Sequence, residues 1–561
     1  MNLLGKGNDP RFWSETVRNE ECYKEYRSFL HSSFEGLCNN KTIESPKYSD
    51  FRLYAVNGDR NTFQGPYYLK RVQAETAVIL SLIYPEEEKY LNYAMDALFA
   101  ICNEYSWCIP AHLPKLTEVH NRTHLDLFAC ETAYMLSEVY TLLEDRLDPL
   151  IKARIRREVE DRVLKTFIRT QNWGWAKTNK SNWAAVCAGS VGCSFMLLRP
   201  DLFPSVKEHI DYAIENFLSG YNDDGYCLEG THYWHYGFGF FLSYAEMLRT
   251  FTGGKENYFQ REKVHKIATF LQKMFLTENK GVSFADAHEG LDYHIGILHF
   301  LKTEYNDVKV YDPKYSYIND ECGRFTWLVR AATWLDPKIY YSPDDINEDS
   351  EYYGEYSQWF TKKTQSYGFA AKGGFNNEHH NHNDVGAFII AKNGKHIVTD
   401  PGRGEYRQQY FDKATRYTLI ECSSLGHSVP YFGDVVQKFG DEYSSKDTSF
   451  KNGVFYTDIA GAYGDERIRS VKRSFSFSKS SVTLNDVFDI SSDLTITERL
   501  ILKVKPEVNG SEIVCDDLKI KLGDEVKDVS FSETKTTSGK RIFLLDLLLS
   551  AGADRCTLIF E

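Results

Sequence analysis

Residues 379–402 have the sequence HHNHNDVGAFIIAKNGKHIVTDPG. Three histidines and Asp384 precede an apolar run, and Asp400 ends the next one. The pair Asn393-Gly394 between the two runs is a strong signal of a β-hairpin. Because a buried polar group without a partner costs several kcal/mol, these side chains need partners. The stretch therefore predicts a strand pair that carries a binding or catalytic site.

Apolar alternation continues beyond this hairpin in short runs separated by turn residues, at 481–484, 494–497 and 541–545. This pattern predicts an antiparallel β-sandwich over residues 365–561. The first half instead has helical periodicity, with helices expected near 70–84, 88–104, 149–167, 182–198, 238–252 and 261–276. Repeated helical pairs favour an α/α barrel or bundle over residues 1–335. The acidic, Tyr-rich residues 336–364 are predicted to be a linker, so the fold class is α+β and multidomain.

Composition limits the class of partner. The 561 residues carry a formal net charge of -13, which argues against a protein that coats nucleic acid or an anionic membrane. No apolar run is long enough for a membrane span. Aromatic residues make up 15% of the chain, which suits a sugar-binding cleft or simply a large aromatic core. Composition alone does not separate those two interpretations.

The twelve cysteines are scattered without CxxC pairs, and several lie in apolar segments. They are predicted to be buried, reduced thiols of a cytoplasmic protein. The N-terminal residues lack the apolar run of a signal peptide. A periplasmic or secreted location is the alternative if a leader has been removed.

Two polar stretches interrupt the helical half. Thr178–Trp183 precedes an apolar helix, and Asn182 is either a helix cap or a functional residue. Residues 223–237 contain two histidines, Glu229 and several aromatic side chains between glycines, which predicts a loop at the rim of a cleft. The alternatives there are an aromatic packing loop or a metal site built from Glu229, His232 and His235.

A second candidate metal site combines His382 and Asp400 with His427 from the next segment. Two imidazoles and a carboxylate are ligands that zinc accepts. A buried His-Asp-His hydrogen-bond cluster would have the same spacing. The residues alone leave both possibilities open.

Several ordered motifs resemble the heparinase II/III family of polysaccharide lyases. They are His380-Asn381-His382-Asn383-Asp384, Thr399-Asp400-Pro401-Gly402, Ser424-Leu425-Gly426-His427-Ser428, Asn179 to Trp183, Glu229 to Gly237, and the stretch from His124 to Thr132. The resemblance spans about residues 120–430. It implies an N-terminal (α/α) toroid, an incomplete helical barrel, followed by an antiparallel β-sandwich.

The resemblance also implies catalytic roles. Asn182 would bind the carboxylate of a uronic acid, Tyr236 would be the catalytic tyrosine with Tyr233 as the alternative, and His380 would be the catalytic histidine. His382, Asp400 and His427 would hold a structural divalent metal, most simply zinc.

One position departs from the family pattern. Several members have a histidine directly after the asparagine, and this chain has Trp183. A second donor for the substrate carboxylate would then come from His124, Arg403, Arg407 or Arg416. The side chains expected to contact substrate are Trp183, Tyr233, His124, Arg403 and Arg416.

The implied activity is that of a carbon–oxygen lyase on an anionic, uronate-containing oligo- or polysaccharide, glycosaminoglycan or alginate-like. Such an enzyme removes the C5 proton and expels the C4 oxygen in the cleft between the two domains, leaving a 4,5-unsaturated uronate. A homodimer is a further expectation.

Two other functions use the same residues differently. A uronate C5-epimerase needs nearly the same proton abstraction, and a non-catalytic glycan-binding protein needs only the cleft. A glycoside hydrolase is disfavoured because no pair of acids stands out at suitable positions.

Overall fold

The structure is a computed structural model that describes residues 2–39, 41–113, 119–170, 173–177 and 180–561. Thr178 and Asn179 of the predicted Asn182 motif lie outside the described residues. The chain divides into two compact units. The first unit comprises residues 1–220, 235–265 and 293–344, and the second comprises 221–234, 266–292 and 345–561.

Most of the described helices lie in the first half of the chain and confirm that this half is helical. They are α1 Lys24–Leu37, α2 Tyr48–Asn57, α3 Asn61–Ile83, α4 Glu88–Cys102, α5 Leu127–Leu142, α6 Pro149–Val159, α7 Lys165–Arg169, α8 Gly174–Lys177, α9 Asn182–Leu198, α10 Phe203–Ser219, α11 Thr231–Tyr233, α12 Gly239–Phe251, α13 Glu262–Ala268, α14 Ile295–Glu304, α15 Phe325–Thr333, α16 Pro337–Tyr340, α17 Gln408–Phe411 and α18 Lys413–Arg416. Among the described helices, none is long and apolar enough to cross a membrane.

Helix α9 lies at the centre of the first unit, where α5, α10 and α12 pack against it. Its sequence is apolar or small on every face, which is typical of a helix buried all round. A side chain at Gly192 would come within 2.6 Å of the Tyr244 ring on α12, so the glycine permits the close approach of these two helices. The incomplete (α/α) toroid implied by the resemblance stays a prediction.

The strands are β1 Phe275–Thr277, β2 Lys280–Gly281, β3 Tyr293–His294, β4 Ser316–Tyr317, β5 Ser350–Tyr353, β6 Trp359–Lys363, β7 Gly368–Lys372, β8 Phe375–Asn376, β9 Phe388–Lys392, β10 Lys395–Val398, β11 Tyr431–Phe432, β12 Gly440–Ser444, β13 Lys446–Lys451, β14 Val454–Asp458, β15 Ile468–Phe477, β16 Val482–Ile490, β17 Ile496–Leu502, β18 Glu507–Asn509, β19 Glu512–Cys515, β20 Leu518–Leu522, β21 Val526–Lys535, β22 Arg541–Leu549 and β23 Arg555–Phe560.

Two large antiparallel sheets of the second unit confirm the predicted β-sandwich. One has the order β21-β22-β17-β10-β9-β7-β6-β5, with β11 also paired to β17, and the other has the order β13-β14-β15-β16-β23-β20-β19-β18. Their inner faces meet in an aromatic core, where Phe369 of the first sheet lies 4.9 Å from Phe475 of the second between ring centroids. The predicted hairpin β9–β10 turns at Asn393 and Gly394, whose φ angles are 48° and 72°. Positive φ at both positions is the type I′ geometry that the Asn-Gly pair favours.

Two segments differ from the sequence prediction. The predicted linker 336–364 contains α16 and strands β5 and β6, which pair with each other and extend the nine-stranded sheet through β7. The apolar side chains of Trp359 and Phe360 are buried there, and this outweighs the acidic character of the preceding residues. The predicted helix 261–276 ends at Ala268 and gives way to β1. Residues 266–292 belong to the second unit, although the sequence assigned them to the helical domain.

Candidate functional site

In the second unit, the side chain of His380 is held by a buried carboxylate. Its Nδ1 lies 2.7 Å from Oδ2 of Asp286, a residue with no exposed surface. Since an ionised carboxylate only accepts hydrogen bonds, Nδ1 of His380 donates and Nε2 is left with a lone pair. Nε2 faces Glu229, whose carboxylate oxygen lies 3.7 Å away. His380 is therefore oriented as a proton acceptor with a fixed tautomer.

The backbone at His380 is unusual. Its φ angle is +60°, in the left-handed region that non-glycine residues rarely occupy. Such conformations persist where the surroundings impose them, and they are common at functional sites. The hydrogen bond to Asp286 and a stacked aromatic ring supply that constraint.

That stacked ring belongs to Tyr233. Its centroid lies 4.0 Å from that of His380, with 19° between the planes. The hydroxyl groups of Tyr233 and Tyr406 lie 2.6 Å apart, and Tyr406 donates to Asp286 at 2.8 Å. The predicted alternative catalytic tyrosine thus lies against His380 and is tied to the same carboxylate through Tyr406.

Asp286 is the centre of this network. It accepts hydrogen bonds from His380, His382, Tyr406, Tyr410 and Arg416. Burial alone would raise the pKa of Asp286, but the hydrogen bonds from the two histidines and the charge of Arg416 hold that pKa well below its usual value. Asp286 is therefore an anion that stabilises positive charge on its neighbours.

The loop that carries Asp286 packs against the turn that follows β10. The backbone N–H of Arg403 donates to the carbonyl of Ala287 at 3.0 Å. Gly402 has a φ angle of +62°, and a Cβ atom there would lie 2.4 Å from the same carbonyl oxygen. Glycine is thus required at this position of the Thr399–Gly402 motif.

His382, Asp400 and His427 come together as predicted, and one potential ligand atom from each lies within 4.8 Å of the others. All three side chains are buried. His382 Nε2 lies 3.1 Å from Asp286, and His427 Nε2 lies 3.0 Å from the carbonyl of Glu421. These outer acceptors place the protons on both Nε2 atoms, as is usual for histidines that bind a metal through the other nitrogen.

Nδ1 of His382, Nδ1 of neutral His427 and Oδ2 of Asp400 have no hydrogen-bond donor among the described residues. In neutral His427, the Nδ1 lone pair faces Oδ2 of Asp400 at 2.8 Å, so two acceptors oppose each other. Nδ1 of His382 is buried without a partner among the described residues. A proton on His427 Nδ1 would satisfy Asp400 but would leave His382 without a partner. A metal cation would satisfy all three, so the donor set fits a divalent ion such as zinc.

The rival metal site of Glu229, His232 and His235 does not form such a group in the part of the chain that the structure describes. Glu229 is directed instead towards His380. His235 packs against the ring of Tyr317, at 5.8 Å between centroids. Spacing along the chain suggested this set, but Glu229 and His235 make separate contacts.

In the first unit, Asn182 and Tyr236 belong to adjoining elements. Asn182 is the first residue of α9 and is 2% exposed, whereas Ser181 occupies the N-cap position, so Asn182 is not the helix cap. Residues 234–238 form a π-helical turn, a feature that is frequent at functional sites. Gly237 in that turn lies close to Asn182, since a Cβ atom added at Gly237 would be 3.0 Å from Cβ of Asn182.

Tyr236 contacts one carboxylate and one guanidinium group of the first unit. Its hydroxyl donates a hydrogen bond to Glu131, and the Arg324 guanidinium lies 4.1 Å from its ring centroid. Arg324 in turn donates to Glu131 at 3.1 Å. Burial and the Glu131 carboxylate raise the pKa of Tyr236 well above its usual value, against the opposing effect of Arg324. The phenol is therefore protonated at neutral pH.

The side chains predicted to contact substrate have different surroundings. Trp183 packs on the His112 ring at 4.8 Å, and His124 borders a surface cavity of about 300 Å³ with Trp173. Arg403 is half-buried, with its guanidinium 5.0 Å from the Tyr406 ring, and exposed Arg407 pairs with Glu405.

Arg416 is placed differently from the expectation. It is buried, and all three of its guanidinium nitrogens donate to Asp286 or to the backbone carbonyls of Asn381 and Tyr410. These contacts favour a supporting role behind Asp286 over a direct contact with substrate.

Three residues of these networks were missed from the sequence. Asp286 follows an apolar stretch with only His288 nearby as a hint, and Arg324 lies in no recognised motif. Glu131 belongs to the motif from His124 to Thr132, but nothing local distinguishes it from a surface acid. The contacts of Asp286 with His380 and of Glu131 with Tyr236 and Arg324 join residues 94 or more positions apart in the chain, so spacing does not reveal them.

Comparisons with known proteins find similarity in structure only. No protein-family model matches the sequence, and no curated protein matches it significantly. A heparinase III gene product is similar with a TM-score of 0.61 and 10% identity, covering 98% of this chain and 92% of the other. The heparan sulfate lyase HepC from Pedobacter heparinus is similar with a TM-score of 0.60 and 13% identity, and the match covers 99% of this chain and 86% of the other.

A chondroitin AC lyase from Streptomyces coelicolor A3, solved with chondroitin sulphate, gives a TM-score of 0.51 and 8% identity over 96% of this chain and 82% of the other. At these identities the likeness concerns the fold alone. The resemblance to heparinase II/III-like lyases is thus confirmed at the level of the fold.

Proposed function

We propose that this protein is a polysaccharide lyase that cleaves uronate-containing glycans by β-elimination. The observation that carries the proposal is the buried Asp286 carboxylate on Nδ1 of His380, which leaves Nε2 as a proton acceptor. A base oriented by a second group is the arrangement expected for general base catalysis. The lyase folds of the similar structures support the same conclusion.

His380 serves as the base. Its Nε2 takes the C5 proton of the uronate, and the electron pair of the C5–H bond forms the C4–C5 double bond while the C4–O bond breaks. The imidazolium that results lies against the anionic Asp286, which stabilises it. Stacking on Tyr233 holds the ring in place during the transfer.

Asn182 and Tyr236 supply the other two functions. Negative charge develops at C5 and on the adjacent carboxylate as the proton leaves, and the Asn182 amide stabilises it by donating to that carboxylate without titrating. Tyr236 serves as the acid because its raised pKa keeps the phenol protonated. It donates its proton to the leaving C4 oxygen, and the phenolate that remains is stabilised by Arg324.

His382, Asp400 and His427 would hold a divalent metal, zinc by the nature of its ligands. When bound, the ion would supply a structural cross-link between the hairpin and the segment after the Ser424–Gly426 turn. Asp286 holds the outer nitrogen of His382 and also holds His380. We infer that the metal supports the position of His380 through this shared carboxylate.

The test is a panel of uronate glycans, including heparan sulfate, chondroitin sulfate and alginate, assayed for the ultraviolet absorbance of an unsaturated product. We expect product from at least one glycan with the wild-type protein and none with His380→Ala. Absence of product from every glycan, or full activity of His380→Ala, would contradict the proposal. Deuterium uptake from solvent without cleavage would instead identify a C5-epimerase.

A further inference from the structure

The second unit contains a cavity of about 280 Å³ that the proposed reaction does not use. Its wall is formed by three segments around residues 280–290, 399–401 and 540–542, together with Lys503. The volume is slightly below the range of typical small-molecule sites, which begins at about 300 Å³. It is large enough for one charged group and part of a sugar ring.

Positive charge dominates the wall. Lys280, Lys503, Lys540 and Arg541 line the cavity. In the part of the chain that the structure describes, the one acid that forms an ion pair with any of them is Glu289, which is 3.7 Å from Lys280 and in closer contact with Lys503. Among the described residues, no carboxylate lies within ion-pair distance of Lys540 or Arg541. Lys540 donates to the carbonyl of Pro401 at 3.1 Å.

The carboxylate of Asp400 balances this charge only in part. It already accepts from the Gly402 backbone at 2.8 Å and lies 2.8 Å from His427 in the metal triad. Four cations against the carboxylates of Glu289 and Asp400 leave the cavity wall with a formal excess of two positive charges, in a chain whose formal net charge is -13. Such a local excess attracts anions.

Burial, together with neighbouring cations, lowers the pKa of two groups in the cavity wall. Burial and the charge of Lys503 lower the pKa of Lys540, and burial, Arg403 and Lys540 lower the pKa of His288 to about 4. An anion in the cavity would raise both pKa values, because it would stabilise the protonated forms of Lys540 and His288. An arginine beside a lysine is a common way to hold a sulfate, phosphate or carboxylate group.

A row of rings connects the cavity to His380. Tyr233 stacks on His380, His232 contacts Tyr233 at 5.6 Å, and His288 in the cavity wall lies 6.2 Å from His232, measured between centroids. The cavity and the proposed base thus belong to one contiguous part of the second unit. An acidic glycan with one residue at His380 has further charged groups along its length.

We propose that this cavity is a subsite for an oxyanion group of an acidic glycan, a sulfo or carboxylate group held chiefly by Arg541 and Lys540. This inference rests on the proposed lyase function for the identity of the ligand. It does not rest on that function for the binding of an anion, which is measured separately.

Anion binding is tested on the full chain with sodium sulfate, with sodium chloride at equal ionic strength as the reference. We expect sulfate to raise the melting temperature above the chloride value. Arg541→Gln abolishes this difference and Lys540→Gln reduces it. The matched control is Lys535→Gln, since exposed Lys535 is the cross-strand partner of Arg541 but does not line the cavity. Equal effects of sulfate and chloride, or an unchanged sulfate effect in Arg541→Gln, would overturn the inference.

The source of the oxyanion is tested with sulfated and chemically desulfated forms of the glycan that the enzyme cleaves. If the group is a sulfo group, Arg541→Gln raises KM for the sulfated form roughly tenfold, the size expected for one lost charge-assisted contact. If it is a carboxylate, KM rises equally for both forms. A KM unchanged for both forms overturns the glycan subsite. Sulfate binding without cleavage of any glycan leaves the anion site standing and refutes the lyase.

Discussion

The carboxylate of Asp286 accepts a hydrogen bond from Nδ1 of His380 at 2.7 Å and from Nε2 of His382 at 3.1 Å. A single buried anion thus fixes the proposed base and one ligand of the proposed metal. The two histidines are separated by one residue, so they project differently yet share this acceptor. Their functions are separable by substitution.

Asp286→Asn keeps the shape of the side chain but removes its charge. We expect kcat to fall roughly 10²- to 10⁴-fold, the usual contribution of general acid–base catalysis, because the His380 imidazolium loses its counter-ion. Stability should also fall, by about 3–5 kcal/mol, because buried Arg416 loses its partner. The assay is therefore run well below the melting temperature, with metal content measured in parallel. Wild-type kcat in a folded, metal-loaded variant would exclude the role of Asp286.

Tyr236 and Tyr233 are distinguished by parallel substitutions to phenylalanine. Tyr236→Phe removes the proposed acid and should lower kcat roughly 10²- to 10⁴-fold. Tyr233→Phe keeps the stacking on His380 and loses only the hydrogen bond to Tyr406, so kcat should fall less than about tenfold. The reverse order of effects would assign the acid to Tyr233.

The metal triad is tested by elemental analysis and thermal unfolding. We expect about one zinc per chain and a loss of about 3 kcal/mol of stability after chelation, as for a ligand present well above its dissociation constant. His427→Ala should abolish metal binding. His232→Ala, from the rival set, serves as the control and should retain the metal. Metal retained by His427→Ala but lost from His232→Ala would reverse the assignment.

Gly237 controls the position of Asn182. In Gly237→Ala the new methyl group would lie 3.0 Å from Cβ of Asn182 and from the Phe217 ring, so these neighbours must move. Because small displacements of catalytic groups are costly, we expect kcat to fall roughly tenfold to 100-fold. Gly36→Ala is the matched control, since Gly36 is at an exposed position of α1 and no atom lies within 4 Å of its Cβ position. It should keep full activity and gain up to about 1 kcal/mol of stability.

Buried Glu75 makes the stability depend on pH. Burial raises the pKa of Glu75 well above its usual value, opposed by Asn319 and Arg324, and one carboxyl oxygen has no partner among the described residues. A group whose pKa is raised on folding stabilises the protein fully below its unfolded pKa, and this contribution is lost as pH rises through the folded pKa. Glu75→Gln should therefore unfold at a higher temperature than wild type at alkaline pH, with little difference at pH 4. A constant difference across pH, measured by calorimetry, would contradict this.

Local patterns predicted the parts of the fold that local physics determines. The Asn393-Gly394 turn has the one backbone geometry that suits this pair, and apolar α9 is buried on all sides as its sequence requires. The triad of His382, Asp400 and His427 followed from ligand type and from the family resemblance.

The remaining features depend on contacts between distant segments. Asp286 acquires its role from five partners, and the nearest of these in the chain is 94 residues away. Strands β5 and β6 are hidden in an acidic stretch because pairing with the sheet, more than their own propensity, determines them. Such features arise only when the chain has folded.

The second unit takes its residues from three separated segments, 221–234, 266–292 and 345–561. During synthesis, Asp286 leaves the ribosome 94 residues before His380, a delay of roughly 5–20 s at usual elongation rates. Throughout that interval the loop that carries Asp286 is exposed to water, because His380, its later partner, has not yet been synthesised. A gene fragment that begins at residue 345 would encode most of the strands but not this acid. The shortest fragment that can yield the complete histidine–carboxylate pair must begin upstream of the sandwich, within the region that encodes the helices.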